Sequence, residues 1–450
     1  MPKKQQITLE NIKSISHDDL AELVYGQMDE HTTLYDKVEK LLLRGDPKAL
    51  LKSIKKDIAS IHRGRKFIGY HESFEFAQQV GNIVDDIVLM IDDCKVASTL
   101  LKELILTDSK VYLRSDDSNG FIQESYARAE NAWAECLHAL SDDEIYADIL
   151  EMLVCEGFGV REVFSEHVPK NVLTRIYEEF EQKYEANRED TFDNIEVLKL
   201  CTHYLRQPTL YIKAVSLQGR ELHESDYLDF AKEYAYAEDA KGTLEMLSKI
   251  VFVDGYKADM FYELQINAYE ALGQSMDVTL AYKNWYKKTK SPEILKKYLA
   301  RLDAVLQKQA KEEALKDAQK LSFAEAMQFF QSLDESELAS QYIWELRDVL
   351  ETQYFYSNEL KSLVTWLKED YPQEAILLYR DSAEKSLATS QSKNYPSAIK
   401  VLKECLKIEE KYNTLSWEIE ESMVYMEKLI NIHRKKPKFV ELFFKAFGDL

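Results

Sequence analysis

Residues that break helices are scarce in this sequence, and their scarcity constrains the fold more than any other feature. The chain has 13 glycines and 8 prolines among 450 residues. In an average protein these two residue types make up about 12% of the chain, more than twice that share. Sheets need frequent tight turns, which depend on Gly, Pro and Asn-Gly pairs. The composition therefore favours long helices with short connections and argues against a β-rich fold.

Apolar side chains recur at helical spacing along most of the chain. Pro47 suits a first helical turn with Asp46 as its N-cap. The face that follows carries five apolar residues, Leu50, Leu51, Ile54, Ile58 and Ile61. A similar pattern predicts one helix over residues 96–112, and Ser141 predicts the N-cap of a later helix. Together these patterns predict an all-α fold with more than ~65% helix, twice the usual share.

A degenerate internal repeat appears in the second half of the chain. Six residues fall near the spacing of a tetratricopeptide repeat, namely Tyr262, Tyr269, Gly273, Val278, Tyr282 and Trp285. Gly242 precedes Gly273 by one such period, and Pro292 lies near the closing proline. A further helix pair is predicted by Ala375, Tyr379, Ala398 and Leu402. Because short connections place successive helices antiparallel, we predict an α-solenoid of antiparallel helix pairs, tetratricopeptide-like in places.

The length of the chain corresponds to about two to four domains or to one long repeat array. We predict three parts. Residues 1–165 form an N-terminal helical domain with an Asp-Asp-Ser-Asn-Gly loop, residues 166–320 form middle helical repeats, and residues 321–450 form a C-terminal tetratricopeptide-like domain.

The chain is acidic, with a net charge of −21. A field of that sign repels nucleic acid and anionic membranes. No apolar stretch approaches the ~18 residues of a membrane helix, and no apolar segment typical of a secretory signal follows the N-terminal Met-Pro-Lys-Lys-Gln-Gln. The 5 cysteines are odd in number and far apart, as expected for reduced thiols. We therefore predict a cytoplasmic protein with no membrane partner and no general affinity for nucleic acid.

Most signatures of catalysis are missing from the sequence. It contains no nucleophile elbow and no glycine-rich phosphate loop. Glu135 and His138 have the spacing of half a di-iron site, but no second half occurs. Cys201 and His203 are a lone pair, whereas zinc needs four ligands. We predict no catalytic residue, no metal and no cofactor, and an enzyme with an unrecognised site remains an alternative.

Residues 115–120, Ser-Asp-Asp-Ser-Asn-Gly, resemble part of a calcium-binding loop. Asp117, Asn119 and Gly120 match the third, fifth and sixth places of that template. Ser115 stands at its first place, and Tyr126 replaces the bidentate Glu that should end it. We predict instead a turn between helices, in which the Asn-Gly pair takes the left-handed conformation and the acidic side chains bond to amides of the next helix.

Two basic islands interrupt the acidic background. One covers residues 48–66 and the other residues 428–438. Their candidate binding residues are Lys55, Lys56, Lys66, Arg434, Lys435 and Lys436. Such islands are usually solvated faces that pair with nearby acids. A nucleic-acid-associated accessory protein that uses both islands is nevertheless the second hypothesis for function.

Several stretches resemble a bacterial helical protein family of unknown function, whose helical pattern also follows SWIM zinc fingers in larger proteins. At the N-terminal end they are residues 62–68, His-Arg-Gly-Arg-Lys-Phe-Ile, and residues 116–122, Asp-Asp-Ser-Asn-Gly-Phe-Ile. At the C-terminal end they are Tyr371-Pro372, Glu374-Ala375, Leu378-Tyr379, Tyr395, Ala398 and residues 434–436 before Phe439. The resemblance implies a helical array without known activity. The zinc finger itself is absent, since no Cys-x-Cys occurs.

The two N-terminal stretches also predict a contact. Arg63 and Arg65 end one helix, and the intervening chain is long enough for two helices that run out and back. We therefore predict that at least one of these arginines contacts Asp116 or Asp117. Together with Asn119, these residues are our candidate binding site. The leading hypothesis is a non-catalytic scaffold for a protein partner, whose identity and oligomeric state the sequence leaves open.

Overall fold

The computed structural model describes residues 8–28, 32–155, 159–160, 164–186, 191–251, 255–352, 355–389, 391–412 and 418–448. Helices make up 77% of the chain, which confirms the predicted all-helical class and its helix content. Packing divides the chain into two compact units, Met1–Val251 and Phe252–Leu450. The finer division at residues 165 and 320 stays a prediction. None of the described helices has the length and apolar character needed to cross a membrane.

The described part of the first unit contains fourteen α-helices, two short 3-10 helices (Leu43–Gly45 and Leu137–Ala139) and a short hairpin. The helices are α1 (Leu9–Lys13), α2 (His17–Met28), α3 (Thr32–Leu42), α4 (Pro47–Arg63), α5 (Ser73–Met90), α6 (Cys94–Ile105), α7 (Asp108–Tyr112), α8 (Phe121–Glu135), α9 (Asp142–Met152), α10 (Lys170–Ala186), α11 (Thr191–Tyr204), α12 (Pro208–Ser216), α13 (Glu224–Tyr236) and α14 (Ala240–Leu247). The hairpin pairs β1 (Val154–Cys155) with β2 (Gly159–Val160) in antiparallel register.

Local sequence determines where several of these helices begin. The Asp46 carboxylate accepts the amides of Lys48 and Ala49, so α4 begins at Pro47 as predicted. Ser141 forms a capping box with Glu144 at the start of α9, which confirms the predicted N-cap. The apolar face of α4 is buried against α5, and α8 buries Tyr126 and Trp133 between α5 and α6.

The single helix predicted over residues 96–112 is wrong, because the chain turns between α6 and α7. The buried Thr107 hydroxyl donates to the Leu104 carbonyl at 2.7 Å and lies 2.7 Å from the Tyr126 hydroxyl. These bonds hold Thr107 in a turn that joins the two helices. The apolar period continues through the turn, which is why periodicity alone misses it.

The second unit begins with α15 (Tyr256–Ala271), α16 (Ser275–Thr289), α17 (Pro292–Leu299), α18 (Ala304–Ala318), α19 (Phe323–Ser332) and α20 (Ser336–Glu345). It continues with α21 (Ser357–Leu367), α22 (Pro372–Ala388), α23 (Tyr395–Lys411), α24 (Ser422–Ile432) and α25 (Pro437–Phe447). The predicted helix pair is α22 with α23, and its four marker residues are buried. Near the C-terminal end of the second unit, an apolar cluster buries Phe439 and Phe443 of α25 beside α23.

The two glycines that suggested a repeat have different structural roles. Gly242 lies inside α14 beneath the Tyr234 ring of α13, where an added Cβ would lie 2.1 Å from the ring. Gly273 follows the end of α15 and has a φ of 71°. Gly242 permits close packing of two helices, and Gly273 permits a turn. Their spacing is therefore not evidence of equivalent positions in a repeat.

Candidate functional site

The two N-terminal stretches that carry the family resemblance lie side by side in the first unit. The first signature segment, residues 61–74, connects α4 to α5, and the second, residues 112–123, connects α7 to α8. The Ile68 amide donates to the Arg114 carbonyl at 2.8 Å, and the Asp116 amide donates to the Ile68 carbonyl at 2.8 Å. These bonds form a short parallel bridge. The chain therefore brings the two segments together, as predicted.

Arg114 is the side chain that joins the segments most extensively. Its guanidinium donates to the Lys66 carbonyl at 2.8 Å and to the Ile61 carbonyl at 3.3 Å. The same group lies over the Phe76 ring, 5.4 Å from the ring centre. It also packs on Gly64, where an added Cβ would lie 2.6 Å from Nη2. Arg114 thus caps the C-terminal end of α4, where a cation is favoured by the helix dipole.

Asn119 makes the second connection between the segments. Its side-chain amide donates to the Ser73 hydroxyl at 2.7 Å and to the Tyr70 carbonyl at 3.2 Å. Gly120 follows with a φ of 75°, in the left-handed region that glycine favours. The predicted left-handed turn at the Asn-Gly pair is therefore confirmed, at Gly120.

The two aspartates of the loop bond to the chain near them. The Asp117 carboxylate accepts the amides of Ile122 and Gln123, both at 2.9 Å, and so caps the first turn of α8. The Asp116 carboxylate accepts the hydroxyl and the amide of Ser118, which lowers the pKa of Asp116. The predicted turn with acidic caps is confirmed. These oxygens bond to nearby groups of the same loop and of α8, and the absence of a calcium ion stays a prediction.

The predicted contact between the arginines and the aspartates is wrong. Arg63 and Arg65 are both exposed, and within the described residues neither forms an ion pair with Asp116 or Asp117. Arg63 instead donates to the Ala59 carbonyl of its own helix at 3.0 Å. Arg114, which the sequence did not single out, makes the connection through carbonyl groups.

The signature segments also expose a group of aromatic side chains that the sequence interpretation missed. We call Phe67, Tyr70, Phe74 and Phe121 the aromatic patch. Their exposed fractions are 60%, 50%, 50% and 37%. The rings of Phe74 and Phe121 meet edge to face, with centres 5.2 Å apart. The signal in the sequence is that two of these aromatics, Phe67 and Phe121, lie within the stretches that carry the family resemblance, and Tyr70 and Phe74 follow the first stretch closely.

The basic candidates of the first island are only partly neutralised. Lys55 pairs with Glu103 at 2.7 Å, and Lys66 pairs with Glu72 at 2.6 Å. Lys56 is exposed at the rim of a polar cleft of about 380 Å³. On the floor of this cleft the Lys40 ammonium group joins Asp57 at 2.6 Å and Asp86 at 2.5 Å.

The basic candidates of the second island fall into two classes. Arg434 and Lys435 are exposed between α24 and α25. Lys436 is half-buried, and its ammonium group donates to the Leu387 carbonyl in the last turn of α22. Lys436 therefore supports the packing of α22, while Arg434 and Lys435 face solvent.

The residues weighed as metal ligands have other partners. His138 lies 2.8 Å from the Glu135 carbonyl oxygen, not from its carboxylate. Cys201 is buried, which raises the pKa of its thiol. His203 lies 2.9 Å from the Glu233 carboxylate and stacks on Tyr236. In the part of the chain that the structure describes, His, Cys, Asp and Glu side chains form no group of three or more that could hold a metal ion.

Comparison with known families confirms the predicted membership of a family of unknown function. Residues 3–205 and 229–441 match a family of unknown function, DUF6880. The chain belongs to this family. The match covers both signature segments and most of the second unit. No curated protein matches the chain. The further relation to helical regions that follow SWIM zinc fingers stays a prediction.

Proposed function

We propose that this member of the DUF6880 family is a non-catalytic helical scaffold that binds a protein partner through the aromatic patch. The observation that carries the proposal is the exposure of Phe67, Tyr70, Phe74 and Phe121 on two segments joined by hydrogen bonds. Single exposed apolar residues are common, whereas a group of them on one surface is typical of an interface.

The aromatic patch has the properties of an interaction hot spot. Aromatic side chains supply much contact area for little loss of conformational entropy, and they dominate interface energetics. Arg114 and Asn119 fix the backbone beneath the patch before any partner arrives. A surface that is already ordered in the free protein loses less conformational entropy when the partner binds.

Charged groups beside the patch suggest the chemistry of the partner. Arg63 and Arg65 are exposed, and no carboxylate within the described residues neutralises either one. Arginines at the rim of an interface steer acidic surfaces toward it. We therefore propose a partner whose contact surface is apolar at its centre and acidic on the side that meets Arg63 and Arg65.

The architecture that we propose for the scaffold is an α-solenoid, tetratricopeptide-like in places. Consecutive helices pack as pairs in both units, as α10 with α11, α13 with α14, α15 with α16 and α22 with α23. Residues 272–274 alone join α15 to α16, and a connection so short supports an antiparallel pair. Stacked pairs of this kind offer extended surfaces for partners.

We further propose that the protein acts in the cytoplasm and without a catalytic step. Cys94, Cys136, Cys201 and Cys405 carry free thiols, which supports a reducing compartment. The carboxylates of the signature segments bind the backbone near them, which supports a structural role for that loop.

Affinity purification from the native host, followed by mass spectrometry, tests the proposal. Three baits are compared: the unmodified chain, the patch variant Phe67→Ser/Phe74→Ser, and the control Leu280→Ser/Val305→Ser. The control removes two exposed apolar side chains from the second unit. Each captured protein is then purified, and its binding to the three baits is measured directly.

We expect a captured partner to bind the patch variant with a Kd at least about tenfold higher than its Kd for the unmodified chain, and to bind the control with an unchanged Kd. The reason is that an aromatic anchor at the centre of an interface contributes more than ~1.4 kcal/mol to binding. Equal binding to both variants would disprove the role of the patch. If light scattering shows a dimer that the patch variant abolishes, the patch joins two copies of this chain and the proposed partner is wrong.

A further inference from the structure

The second unit contains a largely polar groove. It has a volume of about 560 Å³ and lies between α21, α22 and α23. This volume falls in the usual range for small-molecule sites, about 300–1,000 Å³. We call it the lysine groove, because Lys361, Lys385 and Lys400 line it.

Each helix presents a stripe of side chains to the lysine groove at helical spacing. Helix α22 contributes Ser382, Lys385 and Ser386, and Thr389 follows at its C-terminal end. Helix α23 contributes Ser397, Lys400, Val401 and Glu404, and α21 contributes Ser357, Leu360 and Lys361. A stripe that faces another helix is normally apolar. Here hydroxyl and ammonium groups occupy most of it, so the groove is largely polar.

The charge of the groove opposes the charge of the chain. Three lysines face a single carboxylate, Glu404, in a protein of net charge −21. Glu404 already pairs with Lys407 at 2.7 Å. Lys385 lies 3.9 Å from Asp381. Lys361 and Lys400 form no ion pair within the described residues, and so two positive charges remain available to an anion.

Hydrogen-bond donors accompany these charges. Ser382 and Ser386 are half-buried, and no described residue bonds to either hydroxyl. The Asn394 side chain donates to the Thr389 hydroxyl at 3.0 Å and does not cap α23. Helix α23 thus begins beside the groove without a side-chain cap at its first turn.

The floor of the groove is apolar. Phe355, Leu360, Tyr379 and Val401 line it beside the hydroxyl groups. Burial raises the pKa of Tyr379 to about 12, so this side chain stays neutral at physiological pH. An occupant therefore meets hydrogen-bond donors, cations and apolar side chains.

We propose that the lysine groove binds a phosphorylated small molecule, with the phosphate held by Lys361, Lys400 and the serine hydroxyls and its organic part on the apolar floor. Ammonium groups and hydroxyls are common ligands of phosphate, and charge-assisted bonds of this kind are about twice as strong as neutral ones. A carboxylate alone would satisfy one lysine and leave most of the donors unused. This site is independent of the aromatic patch.

Isothermal titration of the full chain with inorganic phosphate, adenosine monophosphate and a phosphoserine peptide tests this inference. The groove variant is Lys361→Gln/Lys400→Gln. The matched control, Lys368→Gln/Lys403→Gln, removes the lysine that directly follows α21 and one lysine of α23, both outside the groove. Circular dichroism of both variants checks that the fold is retained.

We expect adenosine monophosphate to bind more tightly than inorganic phosphate, and its Kd to rise about tenfold or more in the groove variant only. No binding of any probe at millimolar concentration would overturn the inference. Equal weakening in both variants would also overturn it, because the effect would then reflect net charge. Tighter binding of the phosphoserine peptide than of adenosine monophosphate would reject a small-molecule ligand.

Discussion

The guanidinium of Arg114 donates to the main-chain carbonyl of Lys66 and so joins two signature segments across 48 residues of sequence. This bond joins a charged guanidinium to a neutral main-chain carbonyl group, so it needs no second charged side chain. The acceptor is a carbonyl group that any residue would supply at position 66. What the position of Arg114 requires is space, and Gly64 provides that space.

Gly64→Ala is expected to destabilise the protein by about 1–2 kcal/mol. The added Cβ would lie 2.6 Å from Arg114 Nη2, so the guanidinium must move and weaken its bonds to the Ile61 and Lys66 carbonyls, each worth about 1 kcal/mol. Urea denaturation measures the change. Gly69→Ala is the matched control, because no atom lies within 4 Å of a Cβ at that glycine.

Arg114→Met should largely abolish the effect of Gly64→Ala, because both changes act on the same bonds. The double variant should therefore cost clearly less than the sum of the two single costs, with a coupling of at least ~0.5 kcal/mol. Additive costs would mean that Gly64 matters for its backbone alone, and that the packing of Arg114 on it is irrelevant to stability.

Asp117→Ala is expected to cost about 1 kcal/mol, in the range of a lost helix cap. The half-buried carboxylate accepts two amides of α8 at 2.9 Å, and no arginine pairs with it in the described residues. Asp116→Ala removes an exposed side chain that bonds only Ser118 and should cost less than ~0.5 kcal/mol. Chemical denaturation of both variants compares them. A cost above ~3 kcal/mol for Asp117→Ala would indicate a buried charge pair after all.

Lys40→Met is expected to cost about 3–5 kcal/mol, because it leaves Asp86, with a side chain only 4% exposed, as a buried charge without its partner. Burial lowers the pKa of Lys40, but hydrogen bonds to Asp57 and Asp86 outweigh it and raise the pKa overall. Lys40 thus stays charged at neutral pH.

The control for Lys40 is Lys55→Met, which breaks an exposed pair with Glu103 and should cost less than ~1 kcal/mol. Adding Asp86→Asn to Lys40→Met should restore part of the stability, since it removes the uncompensated charge. If denaturation midpoints of Lys40→Met and Lys55→Met agree, the buried ion pair contributes no more than a surface one.

Features set by a few neighbouring residues could be predicted from the sequence. Asp46 before Pro47 specified the start of α4, and Ser141 with Glu144 specified that of α9. Asn119-Gly120 specified a turn, and its aspartates specified a cap. In each case donor and acceptor lie within six residues, so local chemistry decides the outcome.

Features that depend on distant partners could not be predicted. Thr107, in the turn that follows α6, lies 2.7 Å from the Tyr126 hydroxyl, and nothing near Thr107 in the sequence reveals that contact. Arg63 and Arg65 do not pair with Asp116 or Asp117, and the Asp117 carboxylate accepts two main-chain amides of α8. Arg114 was missed because its acceptors are carbonyl groups, which leave no trace in the sequence.

The capping box at α9 is expected to make part of the stability depend on acid pH. The Glu144 carboxylate pairs with Lys95 and accepts the amide and hydroxyl of Ser141, and these contacts lower its pKa to about 2 from 4.5. A carboxyl group whose pKa is lower in the folded than in the unfolded state stabilises the fold at pH values above its unfolded-state pKa. That contribution is lost as the pH falls through its folded-state pKa. The Tm of the unmodified chain should therefore exceed that of Glu144→Gln above about pH 5, and the two should converge as pH approaches 2. Thermal melts followed by circular dichroism across this range measure the difference.

Glu135→Gln is the control, because this exposed carboxylate has no ion pair in the described residues. The difference in Tm between this variant and the unmodified chain should stay constant over the same pH range. A difference for Glu144→Gln that is equally constant would show that the box acts through shape and not through charge.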